Sequence, residues 1–147
     1  MREVYAEVIA LIERLHRHFL EVVDLEVDRL GVRDVNNVQA LMLFSICDAE
    51  MSVGDLILRG CYLGANASYN VKKLVENSYL SHQRSVHDRR SNRIRLTEKG
   101  AKLRDRLQSM HERHVEMLEQ AATTKDDLRA AAVALRGLER FWSGVKG

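Results

Sequence analysis

A chain of 147 residues with a net charge of only +2, 46% apolar and 30% charged, has the size and mix of one folded domain in water. No apolar run approaches the roughly 18 residues that a membrane span requires. The charged, amphipathic start Met-Arg-Glu-Val-Tyr-Ala-Glu lacks the apolar core of a signal peptide, so the expected location is cytoplasmic, with no membrane partner.

Absence of proline leaves long helices open to the chain. Val4, Val8, Leu11, Leu15, Phe19 and Val22 recur at four- and three-residue steps, with charged residues on the other faces. That spacing predicts an amphipathic helix over 2–30, stopped by Gly31. Asn36 and Gln39 form a capping-box pair ahead of a second helix over 38–49. Leu41, Met42, Phe44, Ile46 and Cys47 make it apolar nearly all round, so it is expected at the centre. Ser52 and Asp55 open a short helix over 53–59, and 61–65 reads as a turn. Asn66 is the expected cap of a helix over 67–77, whose stripe is Ala67, Val71, Leu74 and Val75. Its open face is expected to carry Ser68, Tyr69, Asn70, Lys72, Lys73 and Glu76.

Two short helices joined by a glycine-containing turn form a helix-turn-helix. Leu80 to Arg84 and Arg93 to Leu96 then read as strands, because Ile94 and Leu96 alternate with Arg93 and Arg95. The tip between them spans 86–92. Thr97 is the expected cap of a helix reaching about residue 122, and a last helix follows over 126–142. A helix-turn-helix followed by a basic hairpin is a winged helix. The fold class is therefore mainly α (α+β). Its long first and last helices exceed what a winged-helix core can cover, so they are expected to bury each other and a second copy of the chain.

Charge sharpens the functional reading. Residues 66–102 hold nine Lys/Arg against three acids, a net +6, whereas 1–65 is net −5. A basic helix followed by a basic hairpin is a surface for phosphates. Ser68, Asn70 and Lys72 are the candidates for base edges, and Asn70 suits adenine. Ser68 and Lys72 also suit phosphate, and Tyr69 suits either a thymine methyl or a phosphate. Asn66 with the amides after it suits a phosphate at the helix start, and Lys73 suits phosphate as a point charge. Along the hairpin Arg84, Arg89, Arg93 and Arg95 add positive charge.

No nucleophile stands at useful spacing from a base, and there is no phosphate loop. No catalytic residue, metal site or cofactor is therefore expected. His111 and His114 are three apart on one helix, with Glu112 and Glu116 nearby, and read as an interface-lining face rather than a zinc site. Cys47 and Cys61 lack metal-ligand spacing and read as small buried residues.

The run Asp88-Arg89-Arg90-Ser91-Asn92-Arg93-Ile94-Arg95-Leu96-Thr97-Glu98-Lys99-Gly100 resembles the wing signature of the MarR family of winged-helix transcription regulators, an Asp-x-Arg tip running into a strand and Leu-Thr-x-x-Gly. The likeness covers nearly the whole chain. It implies one MarR-like domain over 1–147, a winged-helix lobe over 33–97, and dimerisation helices over 1–31 and 98–142. It also implies a homodimer whose two lobes straddle a palindromic operator, reading it through helix 66–77 and wing 82–96. In the family's manner, Arg90 enters the minor groove and Asp88 orients it, which agrees with the pull of a narrow groove on arginine. The expected function is a repressor of transcription relieved by a small-molecule effector. That effector's pocket is expected near Leu11, Leu15, His18, Phe44 and Cys47. A non-specific architectural DNA binder is the alternative. Two departures stand out. Ser78 occupies the position where the family commonly has glycine, and no cysteine precedes Cys47, whereas the peroxide-sensing members carry their reactive cysteine near the N-terminus.

Overall fold

The computed structural model describes residues 1–46, 49–60, 64–84 and 92–147, without the side chains of Arg84 and Asn92. They form helices α1 (Arg2–Arg29), α2 (Asn37–Ser45), α3 (Val53–Gly60), α4 (Gly64–Glu76), α5 (Glu98–Gln120) and α6 (Lys125–Val145). Three short strands join them: β1 (Met51–Ser52), β2 (Leu80–Arg84) and β3 (Asn92–Leu96). The chain divides into two compact units, Met1–Gln108 and Ser109–Gly147. Among the described residues no helix is long and apolar enough to cross a membrane.

In the first unit the core gathers Ala40, Met42, Leu43 and Ile46 from the α2 region, Leu56 from α3, and Ala67, Val71 and Leu74 from α4. Leu80 and Ile94 from the hairpin and Leu103 and Leu107 from α5 complete it. Helix α2 is set by its capping box: Asn36 Oδ1 accepts from the Gln39 amide at 2.8 Å, and Gln39 Oε1 accepts from the Asn36 amide at 3.1 Å. It stops at Ser45 rather than near 49, because Ile46 turns extended (φ −92, ψ 121). The sheet has the order β1-β3-β2, with both pairings antiparallel. Strand β1 has no counterpart in the sequence pattern. At two residues it is too short for a period-two signal, and it exists through pairing with Arg93 and Ile94.

Helices α1, α4 and α5 end alike. Each has a residue with positive φ just past its last turn: Gly31 (φ 71), Ser78 (φ 67) and Ala122 (φ 65). In each the next amide reaches back five residues, from Val32 to the Val27 carbonyl, Tyr79 to Leu74 and Thr123 to Leu118. This Schellman closure satisfies orphan carbonyls and favours glycine at the left-handed position. Gly31 meets that preference, whereas Ser78 and Ala122 carry a Cβ that strains there. Ser78→Gly is therefore expected to stabilise the protein by about 1 kcal/mol, read as a rise in the urea midpoint.

Helix α6 starts one residue before the expected position. Its cap is Thr124, whose hydroxyl accepts from the Asp127 amide at 3.1 Å while Asp127 accepts from the Thr124 amide at 3.0 Å. The Thr124 amide, with the Thr124 hydroxyl 2.7 Å from the same Asp127 oxygen, holds the Asp127 carboxyl below its usual range.

Candidate nucleic-acid interface

Helix α4 presents two different faces. Ala67, Val71 and Leu74 point into the core, while Asn66, Ser68, Tyr69 and Lys72 are exposed, Tyr69 at 59%. Lys73 is half-buried; it pairs with Glu76 at 3.4 Å and lies 5.8 Å from the Tyr69 ring centroid. That contact braces an aromatic ring on an open surface. On β3, Arg93 and Arg95 are exposed, and Ile94 between them is fully buried. Arg93 stands on the central strand, opposite Ser52 on β1 and Gln83 on β2. These side chains give unit 1 an outward helix face rich in donors and a strand with exposed cations.

Two expectations need correction. Asn66 does not cap α4: the helix already begins at Gly64, so Asn66 sits in its first turn. Asn70 is not on the open face. It is 9% exposed, and its Oδ1 accepts a hydrogen bond from Gln39 Nε2 at 3.1 Å. Positions 67, 70, 71 and 74 follow the spacing of one helix face, so residue 70 belongs to the buried stripe. The spacing carries that signal, and the residue's polarity masks it. Asn70 is thereby removed from the surface that can meet a base edge. Asp88, Arg89, Arg90 and the side chain of Arg84 lie outside the described residues, as do Cys47 and Cys61.

The chain matches the model of a winged helix DNA-binding domain over residues 35–100. It is 37% identical over 141 residues to the exopolysaccharide II synthesis transcriptional activator ExpG of Rhizobium meliloti (strain 1021), covering 96% of this chain and 73% of that protein. Its fold is similar to a MarR transcriptional regulator from Methanosarcina mazei Go1 (TM-score 0.76, 22% identity, covering 96% of this chain and 98% of that one). It is also similar to Streptococcus pneumoniae FabT in complex with DNA (TM-score 0.76, 15% identity, covering 96% and 99%). A third likeness is to Staphylococcus aureus MarR in complex with salicylate and kanamycin (TM-score 0.78, 15% identity, covering 97% and 94%). The chain belongs to the MarR family of winged-helix transcription regulators. It is a DNA-binding transcription regulator of MarR type and not an enzyme.

The MarR signature Leu-Thr-x-x-Gly acquires a structural meaning here. Thr97 Oγ1 accepts from the Gly100 amide at 3.1 Å, capping α5, and donates to the Ser78 carbonyl at 2.6 Å. The Thr97 amide donates to the Tyr79 carbonyl at 3.1 Å. Lys99 Nζ donates to the Asn77 carbonyl at 2.9 Å, lies 3.5 Å from Asp34 Oδ2, and sits 4.2 Å from the Tyr79 ring centroid. The Tyr79 hydroxyl donates to Asp34 Oδ1 at 2.7 Å. Burial, that hydrogen bond and the Asp34 charge raise the phenol well above its usual range, so it stays a donor. The network ties the end of α4, the root of the hairpin and the loop after α1 into one block. No sequence pattern joins Asp34 to Tyr79 across 45 residues.

The residues expected to line an effector pocket are not drawn into an enclosed site. Leu11, Leu15 and His18 are exposed on α1, Leu15 at 60%. Phe44 is half-buried, and Cys47 lies outside the described residues. In the second unit His114, Met117, Leu118 and Ala121 line an open apolar groove of about 370 Å³. Among the described residues no group of three or more His, Cys, Asp and Glu is placed to hold a metal ion.

Proposed function

We propose that this regulator acts in the cytoplasm as a homodimer on a palindromic operator. Helix α4 enters the major groove and the wing enters the flanking minor groove. The observation that carries the reading is the outward face of α4, with Ser68, Tyr69 and Lys72 exposed, running into a hairpin that exposes Arg93 and Arg95. Ser68 and Lys72 face base edges, while Asn66, Lys73, Arg84, Arg89, Arg93 and Arg95 serve phosphates. Arg90, oriented by Asp88, reads the minor groove. In this division 33–97 is the DNA lobe, and 1–31 and 98–142 build the dimer. The apolar faces left open on α1 and α6 support a second copy as their cover, since α6 has no buried residue of its own.

The direction of control is a separate matter. Repression relieved by an effector is the reading drawn from the sequence. The relative at 37% identity is named a transcriptional activator, and that name favours activation here. In vitro transcription from a promoter carrying the selected site separates the two: more transcript with added protein means activation, less means repression. A small acid such as salicylate, which accompanies the Staphylococcus aureus neighbour, is a reasonable first effector to add to that assay.

The DNA reading is tested by selecting fragments from a random duplex pool and titrating salt. Wild type is expected to prefer the selected fragment over its scramble. Arg90→Ala is expected to bind more weakly, with a salt slope shallower by about 0.9 for each phosphate that the variant no longer neutralises. Equal binding to both DNAs would instead support the architectural alternative.

A further inference from the structure

A recognition helix must be held at one rotation about its own axis, and apolar packing alone does this loosely. Ala67, Val71 and Leu74 bury α4 through contacts without direction. A turn of about 20° leaves such contacts largely intact, yet it swings a side-chain tip on a helix of about 6 Å radius through about 2 Å. That displacement is enough to spoil hydrogen bonds to base edges.

The directional contact in this stripe is the amide pair Gln39–Asn70. Gln39 is 6% exposed and Asn70 9%, and they meet at 3.1 Å across 31 residues of sequence. Gln39 is itself immobilised, because its Oε1 accepts from the Asn36 amide in the capping box of α2. One side chain thus uses its oxygen to fix α2 and its nitrogen to fix α4. Turning α4 breaks the bond and leaves buried amide groups unpaired, a penalty that apolar residues at 39 and 70 would not impose.

We propose that the Gln39–Asn70 pair is a positioning device for DNA specificity. It sets the rotation of α4, and so the aim of Ser68, Tyr69 and Lys72, without touching DNA. The inference rests on the reading of α4 as the element that enters the major groove.

The test compares Asn70→Leu with the double variant Gln39→Met/Asn70→Leu in the full-length protein. The probes are the duplex selected by wild type and its scramble. The single variant leaves the buried Gln39 Nε2 without its acceptor and is expected to lower Tm. The double variant removes both polar partners and is expected to regain part of that Tm, the rest staying lost because Gln39→Met also removes the acceptor of the Asn36 amide. Its preference for the selected duplex should nevertheless stay at least tenfold below wild type, with an unchanged salt slope, because the phosphate contacts remain. A purely structural pair would show both properties restored together, so a double variant with wild-type preference overturns the inference. Gln39→Met alone keeps the Asn36 oxygen on the residue-39 amide and is judged by the same preference, should the double variant fold poorly. If wild type selects no sequence at all, the reading of α4 fails and the inference falls with it. If wild type selects and the double variant keeps its preference, only the inference fails.

Discussion

Gly100→Ala is expected to cost about 3 kcal/mol or more and to lower Tm by about 10 °C. A Cβ built on Gly100 overlaps the Tyr79 carbonyl oxygen outright and comes within 3.1 Å of its carbonyl carbon and 3.3 Å of Leu96 Cδ2. The obstacle is backbone, and it is held from both sides. The Tyr79 amide closes the end of α4 on the Leu74 carbonyl at 2.9 Å, and the Tyr79 carbonyl accepts from the Thr97 amide at 3.1 Å. Moving it away from a methyl group sacrifices those bonds and disturbs the Lys99 and Asp34 contacts beyond them. A thermal melt measures the effect. A change in Tm below about 3 °C would mean that the α5 start slides to make room, and the tight junction would not be the reason for glycine in the signature. Ser78→Gly, at the same junction, is expected to move stability the opposite way.

Whether a feature is legible in the sequence depends on whether its cause is local. The Asn36–Gln39 box, the Gly31 stop and the period-two hairpin are set by neighbours within a few residues, and each stands where the pattern places it. The Thr124–Asp127 box is equally local, yet Asp126 and Asp127 hide it, because their charge alone accounts for a helix start without the residue before them. The start of α4 moves from 67 to 64 because Asn66 is as comfortable in a first turn as at a cap, and residue preference does not separate the two. Asn70 reads as exposed on polarity although its spacing matches the buried face. Its partner Gln39 lies 31 residues away, and a hydrogen bond across that distance leaves no trace in either segment. The Asp34–Tyr79–Lys99 block is invisible for the same reason. At the candidate interface the exposed cations are legible and the internal polar contacts that aim them are not.

Leu135→Glu is expected to convert the proposed dimer to a monomer and to bring operator binding down to the level of an isolated half-site, a loss of about a thousandfold. Leu128, Leu135 and Leu138 follow a helical stripe on α6 together with Phe141, Trp142 and Val145, giving an apolar face far wider than a single coiled-coil seam. Leu135 is 47% exposed, Leu128 50% and Phe141 58% in the single chain. In the single chain this 21-residue helix has no fully buried residue, although Leu138 and Trp142 are half-buried. In the proposed dimer a second copy supplies apolar area for it to pack against, and a carboxylate at 135 would have to be buried there unpaired. The consequence for DNA follows from geometry. Two lobes joined in one particle engage two half-sites, and the second engagement is intramolecular once the first is made. Separated lobes forfeit that gain while each keeps its own basic α4 and wing. Sedimentation velocity reads the mass, and the selected palindrome and an isolated half-site read the binding. The palindrome is expected to weaken to the level of the half-site, while the half-site itself barely changes. A variant that sediments as a dimer would place the dimer contacts elsewhere than on α6, and a monomer that still holds the palindrome tightly would overturn the account of binding by two joined lobes.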